Sequence, residues 1–193
     1  MDSIYGNHCE RLRETMKRLL DEIEAIREKI KADTGMDPAE HCLGRIKSEE
    51  SMREKCRRQG LPETEDTALR LMHDAIGIRV VCAFIDDVYE MRDRIASLPF
   101  IEVVEEKDYI RHAKPNGYRS LHMIIRTDGG YLAEIQLRTI SMDTWAALEH
   151  HMKYKKDINV NTELITSELK RCADELASTD ASLQAIRDMI RGL

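Results

Sequence analysis

Two alternating runs of apolar and polar residues, joined by a short turn, constrain the fold more than any other feature of this sequence. The runs are SLHMIIRT (120–127) and YLAEIQLRT (131–139), with Asp-Gly-Gly between them. This pattern predicts an antiparallel β-hairpin. A three-residue loop places His122 opposite Gln136, one pair along from Glu134, and groups the apolar side chains on the other face. A two-residue loop would mix the two faces, so we predict the three-residue loop. The polar face then presents His122, Glu134, Gln136 and Arg138.

The segments before and after the hairpin predict a mixture of strands and helices. GIRVVCAFI (77–85) is typical of a buried strand, 86–98 of an amphipathic helix, and 101–110 begins as a strand. SMDTWAALEHHMKYK (141–155) again has a helical pattern. Strands that alternate with helices, together with one antiparallel hairpin, predict an α+β fold in which helices pack on a mixed sheet.

Both ends of the chain predict long helices, over 1–35 and 160–193. In each segment, apolar residues recur three and four positions apart and form a narrow seam. Such a seam packs either on the body of the domain or on another helix, for instance in a subunit interface. The spacing does not decide between these two arrangements.

Composition limits the classes of partner. The net charge is −6, which argues against broad binding of nucleic acid, including DNA, because that binding depends on neutralising phosphates. No apolar run is long enough to span a bilayer, so we expect no membrane partner and a cytoplasmic location. The five cysteines are scattered, without CxxC or metal-ligand spacing, and we expect reduced thiols.

A basic segment, GRIKSEESMREKCRR (44–58), is the first candidate for chemistry. Its helical spacing predicts a stripe of Lys47, Ser51, Lys55 and Arg58, with Arg45 where the helix would begin. Cations and a hydroxyl on one stripe suit an oligophosphate. Spacing alone nevertheless favours a solvated face that pairs with the neighbouring Glu49, Glu50 and Glu54.

Two carboxylates and a strand arginine form a second group of candidates. Asp74 directly precedes the strand at 77–85, where it is either a bystander or an oxygen ligand for Mg²⁺. Arg79 lies within that apolar strand and needs a carboxylate or phosphate partner. Glu134 is either in a salt bridge or functional. Two carboxylates near a phosphate-binding stripe are what metal-assisted phosphoryl transfer requires.

The segment KPNGYRSLH (114–122) is the third candidate. Pro115-Asn116-Gly117 predicts a turn. Tyr118 could then offer an aromatic ring for a base to stack on, with Lys114 available to phosphate. The alternative is that Tyr118 fills the sheet edge and the cations face solvent.

Five motifs in order and spacing resemble the synthetase domain of the RelA/SpoT alarmone synthetases. They are GRIKSEESMREK, HDAIGIRVV, KDYIRHAKPNGYRSLH, AEIQLRT and MDTWAALEHHMKYK. The resemblance covers about 44–155 and is closest to the small, single-domain branch. It implies one domain over 1–193 with its catalytic core at 44–155. The implied fold is a nucleotidyltransferase-like mixed sheet of about five strands flanked by helices.

The resemblance also implies a reaction and roles for the candidates. The reaction is Mg²⁺-dependent transfer of the pyrophosphate of ATP to the 3′-hydroxyl of GTP or GDP, which makes pppGpp or ppGpp for the stringent response. Some family members instead modify an adenine nucleotide or the 3′ end of tRNA as toxins, and this is the alternative. The small members suggest a homotetramer.

Asp74 and Glu134 resemble the catalytic and Mg²⁺-binding carboxylates. The implied ATP site is Arg45, Lys47, Ser51, Lys55, Arg58 and Arg79, and the implied GTP/GDP site is Lys114, Asn116, Tyr118, His122, Gln136, Glu149 and Lys153.

Overall fold

The computed structural model describes residues 3–154 and 162–192, without the side chains of 153 and 154. Five strands form one sheet: β1 (Ala39–Ile46), β2 (Ile76–Cys82), β3 (Ile101–Asp108), β4 (Leu121–Thr127) and β5 (Leu132–Thr139). The helices are α1 (Cys9–Thr34), α2 (Glu49–Arg58), α3 (Ile85–Ala96), α4 (Ile140–Tyr154) and α5 (Thr162–Arg191), with a 3₁₀ turn at Gly6–His8 and a π-helical turn at Thr67–Leu71.

The sheet is mixed, as predicted. Its strand order is β1-β2-β5-β4-β3, and only the central pair β2–β5 is parallel among these neighbours. A parallel pair requires a crossover connection, and the chain supplies one that runs through α3, β3 and β4. The predicted α+β fold with about five strands and long terminal helices is confirmed.

The predicted hairpin register is also confirmed. His122 pairs with Gln136 and Ile124 with Glu134, and the Thr127 amide donates a hydrogen bond to the Tyr131 carbonyl across the three-residue loop. The apolar side chains of the hairpin, including Met123 and Ile135, lie together in the core. A register shifted by one residue would have exposed all of these apolar side chains. The alternation of apolar and polar residues was therefore sufficient to predict how β4 pairs with β5.

Strand β1 is an element that the sequence reasoning missed. Arg45 was expected at the start of a helix, but it lies in β1, and α2 begins only at Glu49 after the N-cap Ser48. β1 is an edge strand that pairs with β2 on one side and packs against α1. At Gly44 a Cβ atom would lie 2.8 Å from Leu20 Cδ1 of α1, so the glycine allows this close approach.

The two terminal helices are buried in different ways. α1 buries Leu12, Leu19, Ile23 and Ile30, so its predicted apolar seam packs on the body of the domain. α5 instead buries Ala173, Asp180 and Arg187. Asp180 accepts a hydrogen bond of 2.5 Å from Thr139 Oγ1, and Arg187 lies 3.0 Å from Asp86.

Much of the predicted α5 seam faces solvent, and that part does not pack on the body. Its exposed members are Ile165, Cys172, Leu183, Ile186 and Ile190, the last 81% exposed. No helix among the described residues is both long enough and apolar enough to cross a membrane.

Candidate active site

The sheet face opposite the core carries the predicted site residues in two neighbouring rows. In the first row, Gly77 of β2 lies between Arg45 of β1 and Glu134 of β5. In the second row, Gln136 of β5 lies between Arg79 of β2 and His122 of β4. Because side chains alternate along each strand, all of these except Gly77 project from the same face.

A cleft of about 360 Å³ opens over these two rows. Gly77 has no side chain, so it leaves open the space between Arg45 and Glu134. Both predicted carboxylates reach this cleft although they are sixty positions apart in the sequence. The cleft is lined by Leu43, Gly44, Arg45, Asp74, Gly77, Ile78, Arg79, Glu134 and Gln136.

Asp74 lies just before β2 and is held between two lysines. Lys47 Nζ is 3.1 Å from Oδ2 and Lys55 Nζ is 2.8 Å from Oδ1. Burial raises the pKa of the Asp74 carboxyl, but the two close positive charges, first Lys55 and then Lys47, outweigh burial and hold that pKa below its usual value. The Lys55 contact is an ion pair by distance only. Within the described part of the chain, the buried Oδ1 has no hydrogen bond of good geometry.

The basic segment therefore differs from the prediction in two respects. Lys47 precedes α2 instead of lying on it, because Ser48 caps the helix by accepting a hydrogen bond from the Ser51 amide. Lys47 and Lys55 also pair with Asp74 and not with glutamates of their own segment. The solvated, internally paired face that spacing favoured is thus wrong for these two lysines. Ser51 and Arg58 are exposed on α2.

Glu134 has a hydrogen bond on each carboxylate oxygen. His122 Nδ1 lies 2.9 Å from Oε1, and Gln136 Nε2 donates to Oε2 at 3.0 Å. Burial raises the pKa of the Glu134 carboxyl, but His122, through its hydrogen bond and its charge when protonated, together with the Gln136 hydrogen bond outweighs burial and lowers the pKa below its usual value. The group is therefore ionised at neutral pH and can accept a proton.

The predicted turn at 115–117 forms and leans on α5. Gly117 has φ +91°, and a Cβ at this position would lie 2.6 Å from Ala173 Cβ. Asn116 accepts a hydrogen bond from the Tyr118 amide and donates one of 3.1 Å to Glu149 of α4. Together these contacts fix the loop between the sheet, α4 and α5.

Lys114 and Tyr118, both predicted to bind the guanosine nucleotide, contact each other. Lys114 Nζ lies 4.9 Å from the centre of the Tyr118 ring. The Tyr118 hydroxyl lies 2.7 Å from His122 Nε2 and accepts a hydrogen bond of 2.7 Å from Arg138. The ring also meets Trp145 edge-on, with centroids 6.4 Å apart.

Arg138 and Asp143 were not among the predicted site residues. Arg138 was placed on the polar face of the hairpin, and its partners come from the segment before β4, from β5 itself and from α4. Asp143 of α4 lies 3.1 Å from Arg138 and 3.2 Å from Arg79. The carboxylate partner expected for Arg79 is therefore Asp143. One feature of the sequence indicated that Arg138 belongs to the site: an arginine in a strand, on the same face as Glu134 and Gln136, requires partners of its own.

The described residues hold no group of three or more His, Cys, Asp or Glu side chains arranged for a metal ion. Asp74 and Glu134 fit Mg²⁺ as a partial site, because Mg²⁺ commonly takes one or two carboxylates together with substrate phosphates. The buried Oδ1 of Asp74, without a well-formed hydrogen bond, is suited to that role. The side chain of Lys153 lies outside the described residues, so its predicted role stays a prediction.

Comparison with known proteins agrees with this geometry. The model described as "Region found in RelA / SpoT proteins" matches residues 44–159. The GTP pyrophosphokinase YwaC of Bacillus subtilis is 39% identical over 79% of this chain and 76% of its own length. YjbM of the same organism, also a GTP pyrophosphokinase, is 31% identical over 93% of this chain and 86% of its own.

A solved structure shares the fold over nearly the full length. The small alarmone synthetase 1 of Bacillus subtilis, bound to its product pppGpp, superimposes with a TM-score of 0.80 at 30% identity. The match covers 93% of this chain and 94% of that one. The family model covers more than half of the chain, and two relatives exceed 30% identity over most of it. The chain belongs to the RelA/SpoT family.

Proposed function

We propose that this protein is a GTP pyrophosphokinase that transfers the pyrophosphate of ATP to the 3′-hydroxyl of GTP or GDP. The main support for the proposal is that two carboxylates line one cleft above the sheet. One is the ionised Glu134, and the other is Asp74, which is paired with two lysines. The relatives compared above are named GTP pyrophosphokinases, which favours a guanosine acceptor over the toxin-type acceptors.

We assign the ATP side of the cleft to the basic segment and β2. Lys47 and Lys55 form ion pairs with the Asp74 carboxylate. The negatively charged oxygens of an oligophosphate would give these lysines further partners. Arg45 and Arg79 line the cleft from neighbouring strands. Ser51 and Arg58 extend this surface along α2. Mg²⁺ held by Asp74, Glu134 and the phosphates would neutralise charge that develops on the transferred group.

We assign the acceptor side to the loop at 114–118 and the polar face of the hairpin. Lys114, Asn116 and Tyr118 would hold the guanosine nucleotide, with His122, Gln136, Glu149 and Lys153 along the same side. Glu134 accepts the proton of the 3′-hydroxyl as its oxygen bonds to the β-phosphorus of ATP. The bond from that phosphorus to the α–β bridging oxygen breaks, and AMP leaves.

The proposed reaction is tested by its products. The purified protein with ATP, GDP and Mg²⁺ should yield AMP and ppGpp, separated as labelled nucleotides by thin-layer chromatography. Glu134→Gln should lower kcat at least about 100-fold, because it removes the general base with little change in size. Glu102→Gln is the matched control, since Glu102 lies in β3 with its side chain 67% exposed.

Two outcomes would contradict the proposal. Full activity of Glu134→Gln would refute the role of that carboxylate. Efficient modification of ATP or tRNA in place of GDP and GTP, in a competition among the acceptors, would refute the guanosine assignment.

We further propose a homo-oligomer that works in the cytoplasm, where its nucleotide substrates are abundant. The exposed apolar residues of α5, among them Leu183, Ile186 and Ile190, supply a surface that a second subunit could bury. Light scattering after size exclusion measures the mass, and the resemblance to small synthetases leads us to expect a tetramer.

A further inference from the structure

Arg138 is a buried cation with almost all of its donors in use. Its side chain is 5% exposed. Nη1 donates to Asp143 at 3.1 Å and Nε donates to Ser120 Oγ at 3.3 Å. Nη2 donates at 2.7 Å both to the Tyr118 hydroxyl and to Gln136 Oε1. A guanidinium cannot accept a hydrogen bond. In any chain of hydrogen bonds followed from donor to acceptor, Arg138 is therefore the first donor.

One chain runs through Tyr118 and His122. The Tyr118 oxygen accepts from Arg138, which leaves its own proton to be donated to His122 Nε2, 2.7 Å away. At the other end, Nδ1 faces the Glu134 carboxylate at 2.9 Å. A carboxylate only accepts, and a neutral imidazole has one N–H. The proton of neutral His122 is therefore on Nδ1, and donation from the Tyr118 hydroxyl to Nε2 favours the same tautomer.

The second chain runs through Gln136. Its Oε1 accepts from Arg138, so its Nε2 is the end that faces Glu134 and donates to Oε2 at 3.0 Å. The two chains close a ring made of Arg138, Tyr118, His122, Glu134 and Gln136. Both begin on Nη2 of Arg138, and they end on the two different oxygens of Glu134. Each intermediate side chain could point either way in isolation, and the donor Arg138 at one end and the acceptor Glu134 at the other give both chains the same direction.

We propose that Arg138 is a positioning residue: its Nη2 orients the Tyr118 hydroxyl and the Gln136 amide, fixes neutral His122 with its proton on Nδ1, and so holds Glu134 for proton transfer. Arg138 acts through its neighbours and is not assigned a contact with substrate. The catalytic consequence rests on the proposed function, but the tautomer of His122 is a property of the resting protein.

The first test reads the tautomer without turnover. Protein labelled with ¹⁵N in histidine is studied by NMR above the titration range of the imidazole, and His122 is assigned by the signal lost in His122→Gln. In the unmodified protein, Nδ1 should be protonated and Nε2 should not be. In Arg138→Met, and also in Tyr118→Phe, the signals should move toward a mixture of both tautomers. Arg126→Met is the matched control, because Arg126 is an exposed arginine in β4 paired with Glu102, and it should leave the His122 signals unchanged.

The second test uses rates. Arg138→Met should lower kcat about 10- to 100-fold, as is typical when a group that orients a functional side chain is removed, while the KM for ATP changes little. Adding Tyr118→Phe to Arg138→Met should cost less than Tyr118→Phe does alone, because both act through one chain. Arg138→Lys keeps the charge but not the forked geometry, so it should recover only part of the loss.

The outcomes separate the proposals. An unchanged Nδ1–H tautomer in Arg138→Met would overturn the positioning role, even if activity or stability fell. If Arg138→Met does not fold, Arg138→Lys and Tyr118→Phe carry the same test, and retention of the single tautomer in both overturns it. If the tautomer shifts but the unmodified protein makes no alarmone, the proposed function fails and the role of Arg138 in orienting His122 stands.

Discussion

The attachment of the 114–118 loop to α5 leads to a sharp prediction for Gly117→Ala. Gly117 has φ +91°, and a Cβ would lie 2.6 Å from Ala173 Cβ and 3.0 Å from the Cα of Lys170. Neither neighbour is the flexible end of a side chain. The new methyl group must therefore push the loop away from α5 or deform the helix.

The expected cost has two parts. An alanine in the left-handed region costs about 1–2 kcal/mol, and the added methyl group in a packed contact costs about 1–3 kcal/mol more. The sum is about 2–5 kcal/mol. In a protein of this size, each kcal/mol lowers the melting temperature by about 2–4 °C. Gly117→Ala should therefore lower it by roughly 4–20 °C, measured by circular dichroism or calorimetry.

A matched glycine separates the two parts. Gly130, in the hairpin loop, has φ +81°, and apart from its two chain neighbours no described residue has an atom within 4 Å of the position that a Cβ would take there. Gly130→Ala therefore carries only the backbone cost, and the difference between the two variants measures the contact with α5. Ala173→Gly in the Gly117→Ala background should recover the share of the contact cost that comes from the Ala173 methyl group, less about 1 kcal/mol for a glycine inside a helix; the contact with the Lys170 Cα remains.

The same variants test the role of the loop in substrate binding. Gly117→Ala should raise the KM for the guanosine nucleotide and leave the KM for ATP nearly unchanged, because the loop carries Lys114, Asn116 and Tyr118. If Gly117→Ala proves no more destabilising than Gly130→Ala, the loop is not anchored on α5 and the reasoning fails.

Two further predictions concern carboxylates. Asp74→Asn should raise the Mg²⁺ concentration needed for half-maximal activity, and an unchanged Mg²⁺ dependence would remove Asp74 from the metal site. Asp37 accepts a hydrogen bond of 2.6 Å from Arg27, which lowers the pKa of its carboxyl to about 2. A lowered folded-state pKa stabilises the protein above the unfolded value near 4 and loses that effect as the pH falls through the folded value. Asp37→Asn should therefore lower the melting temperature at pH 7, with the difference from the unmodified protein shrinking between about pH 4 and pH 2; a difference independent of pH would contradict this.

The parts of the fold that the sequence predicted correctly are those in which one periodicity determines the arrangement. The hairpin could be aligned because its apolar face must be buried and side chains alternate with a period of two. β1 was missed because an edge strand is only partly buried, and AEHCLGRI shows no regular alternation to distinguish it from a loop. Because β1 was not predicted, Arg45 was assigned to the start of a helix instead of to a strand.

The parts of the site that could not be predicted depend on contacts between different segments of the chain. The ion pairs of Asp74 with Lys47 and Lys55 join α2 to the residue after β1 and to the segment before β2, and no local spacing reveals them. Arg138 was placed on the correct face by alternation. Its role depends on Tyr118 from the loop and Asp143 from α4, and the helical pattern of α4 does not show which of its residues points at the sheet.

The two halves of the cleft consequently depend on different features of the fold. The hydrogen-bonded ring lies entirely between positions 118 and 138, so the hairpin and its preceding loop can form it locally. The lysines, Asp74 and Arg79 come from the segment 45–79. The parallel pairing of β2 with β5 joins the halves directly, by placing Gly77 beside Glu134 and Arg79 beside Gln136. The register of this one strand pair therefore sets the distance between the proposed phosphate site and the proposed base. A change that shifted the register by one residue would separate the two halves while leaving each of them intact.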